Sequence, residues 1–263
     1  MIASIPTPRG ARSLCLAAVL SLAPGAAAPT EGQIINTLRR WSDAEPGWSG
    51  DVEGTLALAE GNTEYLELTG GANVQLVAER HRLRGLGSGS LRRASGEKIA
   101  ESILAHVRHN YSLTALVSTL VFVQYQADPF RRLARRTLLG AGARLDVVRR
   151  ERWEAALGLS YMYEGEEITD DPDRGIEREG RGSFFLSAIG DLTETLRVDV
   201  STFYQPLFSD FADARAYTAA SLRLDIVGEL DLIVRFDLTH DSRPPEDVEP
   251  TDIRLSTGLV FDF

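Results

Sequence analysis

From Trp48 to Phe263, apolar side chains recur at every second residue in one segment after another. Val117, Thr119, Val121, Val123 and Tyr125 form one such set. Trp153, Ala155, Leu157, Leu159 and Tyr161 form another, and Leu230, Leu232, Val234, Phe236 and Leu238 a third. Successive side chains of a β-strand point to opposite faces, so a period of two gives each segment one oily and one polar face. The pattern predicts about twelve strands, at 48–60, 64–78, 81–91, 99–109, 115–127, 137–148, 153–163, 181–190, 196–205, 215–226, 230–240 and 251–263. Each is about ten residues or more, the length of a tilted membrane crossing rather than of an ordinary soluble strand. An open sheet of this size would leave exposed edges, which closure into a barrel removes. The expected fold is a single closed antiparallel transmembrane β-barrel of about twelve strands.

The connections sort by length. Short turns are expected at 79–80, 110–114, 149–152, 191–195 and 227–229, and long loops at 92–98, 128–136, 164–180, 206–214 and 241–250. Bacterial outer-membrane barrels alternate short periplasmic turns with longer external loops. With twelve strands both termini face the periplasm, and every short turn falls there except Gly61-Asn62-Thr63. Tyr111, Trp153 and Phe263 then lie at the periplasmic rim. Tyr65, Tyr125, Tyr163, Tyr204 and Tyr217 lie toward the outer rim, where amphipathic rings suit the headgroup level.

The N-terminus has a different character. Arg9 and Arg12 precede the apolar stretch Ser13–Ala23, followed by Pro24-Gly25 and Ala26-Ala27-Ala28, so residues 1–28 read as a cleaved signal peptide. Cys15, the one cysteine, falls inside it and lacks a lipoprotein context, leaving the mature chain without disulfide or thiolate chemistry. Residues 29–47, with Ile34, Ile35, Leu38 and Trp41 at helical spacing, read as a short helix or a periplasmic arm. Beyond the signal, no apolar run reaches the roughly 18–20 residues of a membrane helix. The net charge of −10 argues against a nucleic-acid partner.

If the apolar faces meet lipid, the opposite faces line the barrel. They carry Arg82, Arg84, Arg108, Arg144, Asp146, Arg197, Asp199, Arg223, Asp225, Asp231, Arg235, Asp237 and Arg254. Asp237 and Arg254 meet if the last two strands pair across their loop. This charged wall is either a filled, self-paired interior or a narrow polar conduit.

The chain ending at Phe263 resembles the C-terminal strand that the barrel-assembly machinery reads in bacterial outer-membrane proteins. A wider resemblance rests on Gly61-Asn62-Thr63, on Asp128-Pro129-Phe130 with Arg131-Arg132-Leu133 before Gly140-Ala141-Gly142, and on Asp241, Pro244-Pro245 and Asp252. Through these the chain resembles the salt-induced outer-membrane proteins, the family called domain of unknown function 481. That resemblance implies an outer-membrane barrel of the Gram-negative envelope in contact with lipid and lipopolysaccharide. It carries no catalytic residues and no cofactor.

The leading reading is a non-enzymatic envelope barrel, either a small-solute pore or a stress-linked structural barrel. One alternative is a soluble barrel carrying an apolar ligand, which requires an oily interior and a charged exterior. Another is an outer-membrane hydrolase using His106, His109 or the contiguous His240-Asp241-Ser242; triad members normally come from separate segments. No pair of histidines is expected to have ligand-like spacing on one face, since His106 and His109 point oppositely on a strand, which argues against a histidine metal site. Asp170, Asp171 and Asp173, in the acidic stretch 164–179, form a weak Ca²⁺ candidate without the EF-hand pattern. Glycines at 85, 87, 89, 140 and 142 sit inside strand patterns, which points to close packing rather than a phosphate loop.

Overall fold

The computed structural model describes residues 46–59, 64–169, 175–245 and 247–262. The expected signal peptide and nearly all of the expected arm, the tripeptide 61–63, the aspartates at 170, 171 and 173, and Phe263 lie outside the described residues.

Twelve strands follow one another around a closed barrel, each antiparallel to its sequence neighbours, with the last returning to the first. They are β1 (Gly47–Ala59), β2 (Tyr65–Ala78), β3 (His81–Ala94) and β4 (Glu97–Ser112). Then come β5 (Val117–Asp128), β6 (Leu133–Arg150), β7 (Trp153–Ile168) and β8 (Glu177–Asp191). The remainder are β9 (Leu196–Pro206), β10 (Ala214–Val227), β11 (Leu230–Asp241) and β12 (Thr251–Asp262). A 3-10 turn, Pro129–Arg131, joins β5 to β6.

The alternation of the sequence becomes an alternation of faces. On β4, Ile99, Ile103 and Val107 are exposed on the outside while Ser102, His106, Arg108 and Asn110 are buried within. On β12, Leu255 is 72% exposed and the neighbouring inward position, Arg254, is half-buried. Apolar outside and polar inside is the polarity of a membrane barrel and the reverse of what a soluble lipid carrier requires.

Turn chemistry is local at one end. Two turns there share one device: the Thr114 and Thr193 hydroxyls each accept from the backbone N–H three residues on, both at 3.0 Å. At the other end three expected loops are mostly strand. Residues 92–98 close in the two-residue turn Ser95-Gly96, both at positive φ, as the right-handed twist of a hairpin favours. Residues 128–136 are a 3-10 turn followed by the start of β6, and 164–180 is largely β7 and β8 extended. Inward-facing charges on these extensions find partners on other strands, Arg92 with Glu67, Arg136 with Glu166 and Glu164 with Arg215.

Closure is uneven. β1 and β2 stay in register over their whole lengths, from Gly47↔Val77 to Ala59↔Tyr65. β1 and β12 share only four register pairs, from Asp51↔Asp262 to Gly54↔Leu259. Above them, toward the loop end, the seam carries no described backbone ladder.

Candidate functional site: the barrel lumen

Three groups of inward side chains fill the lumen. Near the loop end, Arg215 of β10 forms a hub. Its Nη1 donates to both carboxylate oxygens of Glu164 on β7, at 2.6 and 2.7 Å. Its Nη2 reaches Glu166 at 2.9 Å and its Nε reaches Asp241 at 2.9 Å. Arg181 adds Asp213 at 2.7 Å and Glu179 at 3.0 Å, and Arg136 holds Glu166 at 2.5 Å. Glu164 is 2% exposed, so this network crosses the interior from β6 to β11 largely out of contact with water.

The middle of one wall, from β5 to β10, is oily. Leu120, Phe122, Leu138, Met162, Phe185, Phe203, Tyr217 and Ala219 form a buried cluster. Two glycines seat its rings: a Cβ on Gly140 would lie 2.3 Å from the Phe122 ring, and one on Gly158 would lie 1.8 Å from the Phe185 ring. The Arg108 guanidinium lies over Phe122 and Phe185, 6.0 and 5.8 Å from the ring centroids, so it reaches from β4 to β8. His106 stacks on Phe122, and its Nδ1 is 3.0 Å from Gln124 Oε1.

The opposite wall, from β10 through β12 and β1 to β3, is ionic and reached by water. Arg235 donates to both oxygens of Glu53, Arg223 pairs with Asp262 at 3.2 Å, and Arg92 pairs with Glu67 at 2.8 Å. Arg254 lies 3.8 Å from Glu67 and donates to Thr69 at 3.4 Å.

Of the thirteen charges expected on the inner wall, Arg82, Arg84, Arg108, Arg144, Asp146 and Asp231 are buried there. Arg197, Asp199, Arg223, Arg235, Asp237 and Arg254 are inward and half-buried, and Asp225 is exposed at the short-turn rim. Arg84 donates to Gln75 at 3.0 Å, Arg144 pairs with Asp146 at 2.8 Å, and Asp199 accepts from Ser221. Asp237 and Arg254 are register partners. Asp237, however, accepts from the Tyr217 hydroxyl at 2.8 Å while Arg254 turns toward β2.

Tyr217 and Tyr65 correct the expected girdle. Tyr217 is buried in the lumen cluster, and the Tyr65 hydroxyl donates to inward Glu67. Tyr125, Tyr163, Tyr204 and Trp153 are exposed on the outside.

The Arg215 hub is not legible in the sequence, because Arg136 and Glu164 stand in stretches with loop composition. Continuing the inward parity of Ser160 and Met162 by one step reaches Glu164, and stepping back from Arg144 by twos reaches Arg136.

The histidines named for the hydrolase alternative lie apart, each with its own neighbour. His106 contacts Gln124, His109 contacts His81, and His240 Nδ1 contacts Thr251 Oγ1 at 2.9 Å. The expectation that no two histidines share a face holds along a strand but fails across strands. His81 Nδ1 and His109 Nε2 are 3.0 Å apart on the outside of the β3–β4 hairpin.

Solved structures with the same barrel design include the NanC porin, at 9% identity and TM-score 0.50, covering 82% of this chain and 100% of that one. An outer-membrane channel from Pseudomonas putida F1 aligns at 12% identity and TM-score 0.52, covering 87% of this chain and 100% of that one. At such identities the likeness is one of fold. No curated protein matches the sequence. The family model described as "Protein of unknown function, DUF481" matches residues 52–263, nearly the whole barrel. The chain therefore belongs to the DUF481 family.

Proposed function

We propose that the protein is an outer-membrane barrel, exported by its N-terminal signal, whose lumen is a narrow conduit for ions and small polar solutes. The observation that carries this reading is the asymmetry of the inner wall. The β5–β10 side is closely packed, with Leu120 and Gln124 each 1% exposed. The side facing it keeps the Arg235 and Glu53 side chains 35% and 25% exposed. Water and small solutes have a path along that ionic wall, past charges of both signs, and the Arg215 hub narrows it near the loop end. The outer surface supports membrane residence, since a broad apolar belt on a soluble barrel would drive aggregation.

Reconstitution of the folded protein into a planar bilayer tests the proposal. Discrete conductance steps are expected from folded protein and not from unfolded chain. Absence of both conductance and solute flux would remove the conduit and favour the other form of the envelope reading, a structural barrel linked to salt stress.

A further inference from the structure

We propose that His81 and His109 form a two-imidazole binding site for a divalent cation of the Cu²⁺ or Zn²⁺ class, on the outer wall at the short-turn end. The site is independent of the lumen and of whether the barrel conducts. β3 and β4 pair so that His81 lies opposite Tyr111 and Leu83 opposite His109. The two histidines are therefore diagonal neighbours on one face, the face that also carries exposed Leu83 and Val107. Their rings stack with centroids 5.2 Å apart and an interplanar angle of 28°. The Tyr111 ring packs against His81 at 5.0 Å and limits its rotation.

The nitrogen separation is the decisive quantity. Two imidazole nitrogens bound to one metal at about 2.0–2.1 Å stand about 2.9 Å apart at a right angle and about 3.3 Å apart at the tetrahedral angle. The observed 3.0 Å lies between these values; the two nitrogens now face each other in a hydrogen bond, and metal binding requires the rings to turn until both lone pairs point at one ion. Both ligands rise from a paired hairpin, which holds them in place before any metal arrives. Among the described residues no cluster of three or more His, Cys, Asp or Glu side chains is placed to hold a metal. The remaining positions therefore fall to water or to an anionic headgroup oxygen at the membrane edge.

The test uses tag-free, full-length protein folded in detergent micelles, stripped with chelator and titrated with Cu²⁺ and with Zn²⁺ by calorimetry. Electron paramagnetic resonance of the Cu²⁺ form reports nitrogen coordination. Wild type is expected to bind one equivalent with two coordinated nitrogens. His81→Ala and His109→Ala should each weaken binding about tenfold or more. His240→Ala, at the far end of the barrel, should leave it unchanged. Far-UV circular dichroism and heat-dependent gel mobility establish that each variant is folded, and His109→Gln supplies a gentler replacement should the alanine variant fail that check. Absence of saturable binding would overturn the proposal and leave the pair as a hydrogen bond alone. Binding that survives in both His81 and His109 variants would also overturn it, by placing the metal elsewhere.

Discussion

Arg235 of β11 reaches past β12 to Glu53 of β1 and donates two parallel hydrogen bonds, each 2.7 Å, to its carboxylate. The contact crosses the one seam whose backbone ladder is short, and Arg254 crosses the same seam to Thr69 of β2. Side chains thus do at this closure what main-chain hydrogen bonds do between the other strands. Arginine suits the task because its fork meets a carboxylate with two bonds at once.

Glu53→Gln and Arg235→Met should loosen the seam without unfolding the barrel. Both side chains remain partly exposed, so the expected cost is about 1–3 kcal/mol rather than that of a fully buried pair. Amide exchange should quicken in 55–59 and 251–258 and stay slow in β5 and β6. A double-mutant cycle should recover a coupling energy, and additive single effects would show that the pair contributes nothing at the seam.

Arg215→Met should cost more. It leaves the 2%-exposed Glu164 carboxylate facing Arg136 and Arg181 at 3.9 and 3.7 Å, with its close partner gone. Breaking a buried ion pair from one side costs about 3–5 kcal/mol, readable as a lower denaturant midpoint in micelles. If the hub narrows the conduit, the same variant should also raise single-channel conductance. A more stable variant with unchanged conductance would contradict both expectations.

Strand existence, the order of the strands and the apolar-out polarity follow from parity alone. Leu222, Leu224 and Ile226 fix the outward face of β10, and that fixes Arg215 and Arg223 as inward; the same parity turns Tyr217 into the lumen, against its expected place in the girdle. Strand ends were less legible. Beyond Tyr163 the residues are Glu164, Gly165 and Glu166, which look like loop by composition but continue β7 because arginines from other strands meet them. The oily arc is hidden for a related reason: Phe122, Phe185 and Phe203 share parity with Arg and Ser, and nothing local marks a ring that lies over the glycine paired with it on the next strand. The His81–His109 contact depends on register between strands, which spacing along one strand does not carry.

Gly158→Ala should test the seating of those rings. The new methyl carbon would stand 1.8 Å from the Phe185 ring, so the ring must turn toward Phe203, whose centroid is 5.5 Å away. Overpacking of this kind costs about 1–3 kcal/mol. Adding Phe185→Leu to Gly158→Ala should recover part of the loss, because the smaller side chain vacates the space the methyl needs. A wild-type denaturant midpoint for Gly158→Ala alone would mean the arc is loosely packed.

The loop between β9 and β10 should respond to acid through Asp210. Its carboxylate accepts from the Ala212 N–H at 3.0 Å and from Arg243 at 2.6 Å in the β11–β12 loop. These two contacts, the backbone one first, hold its pKa below the usual carboxylate value. A depressed folded pKa means the contribution is complete above the unfolded value, near about 4, and disappears as pH falls through the folded one. The side chain lies in water, so the effect is local: lower amide protection, taken relative to the intrinsic exchange rate at each pH, in 207–213 at about pH 3 than at pH 7, with the strands unchanged. Asp210→Asn removes the charge at every pH, so its loop protection at pH 7 should match that of the acidified wild type. Equal loop protection in wild type at both pH values would show that the Arg243 contact does not order the loop.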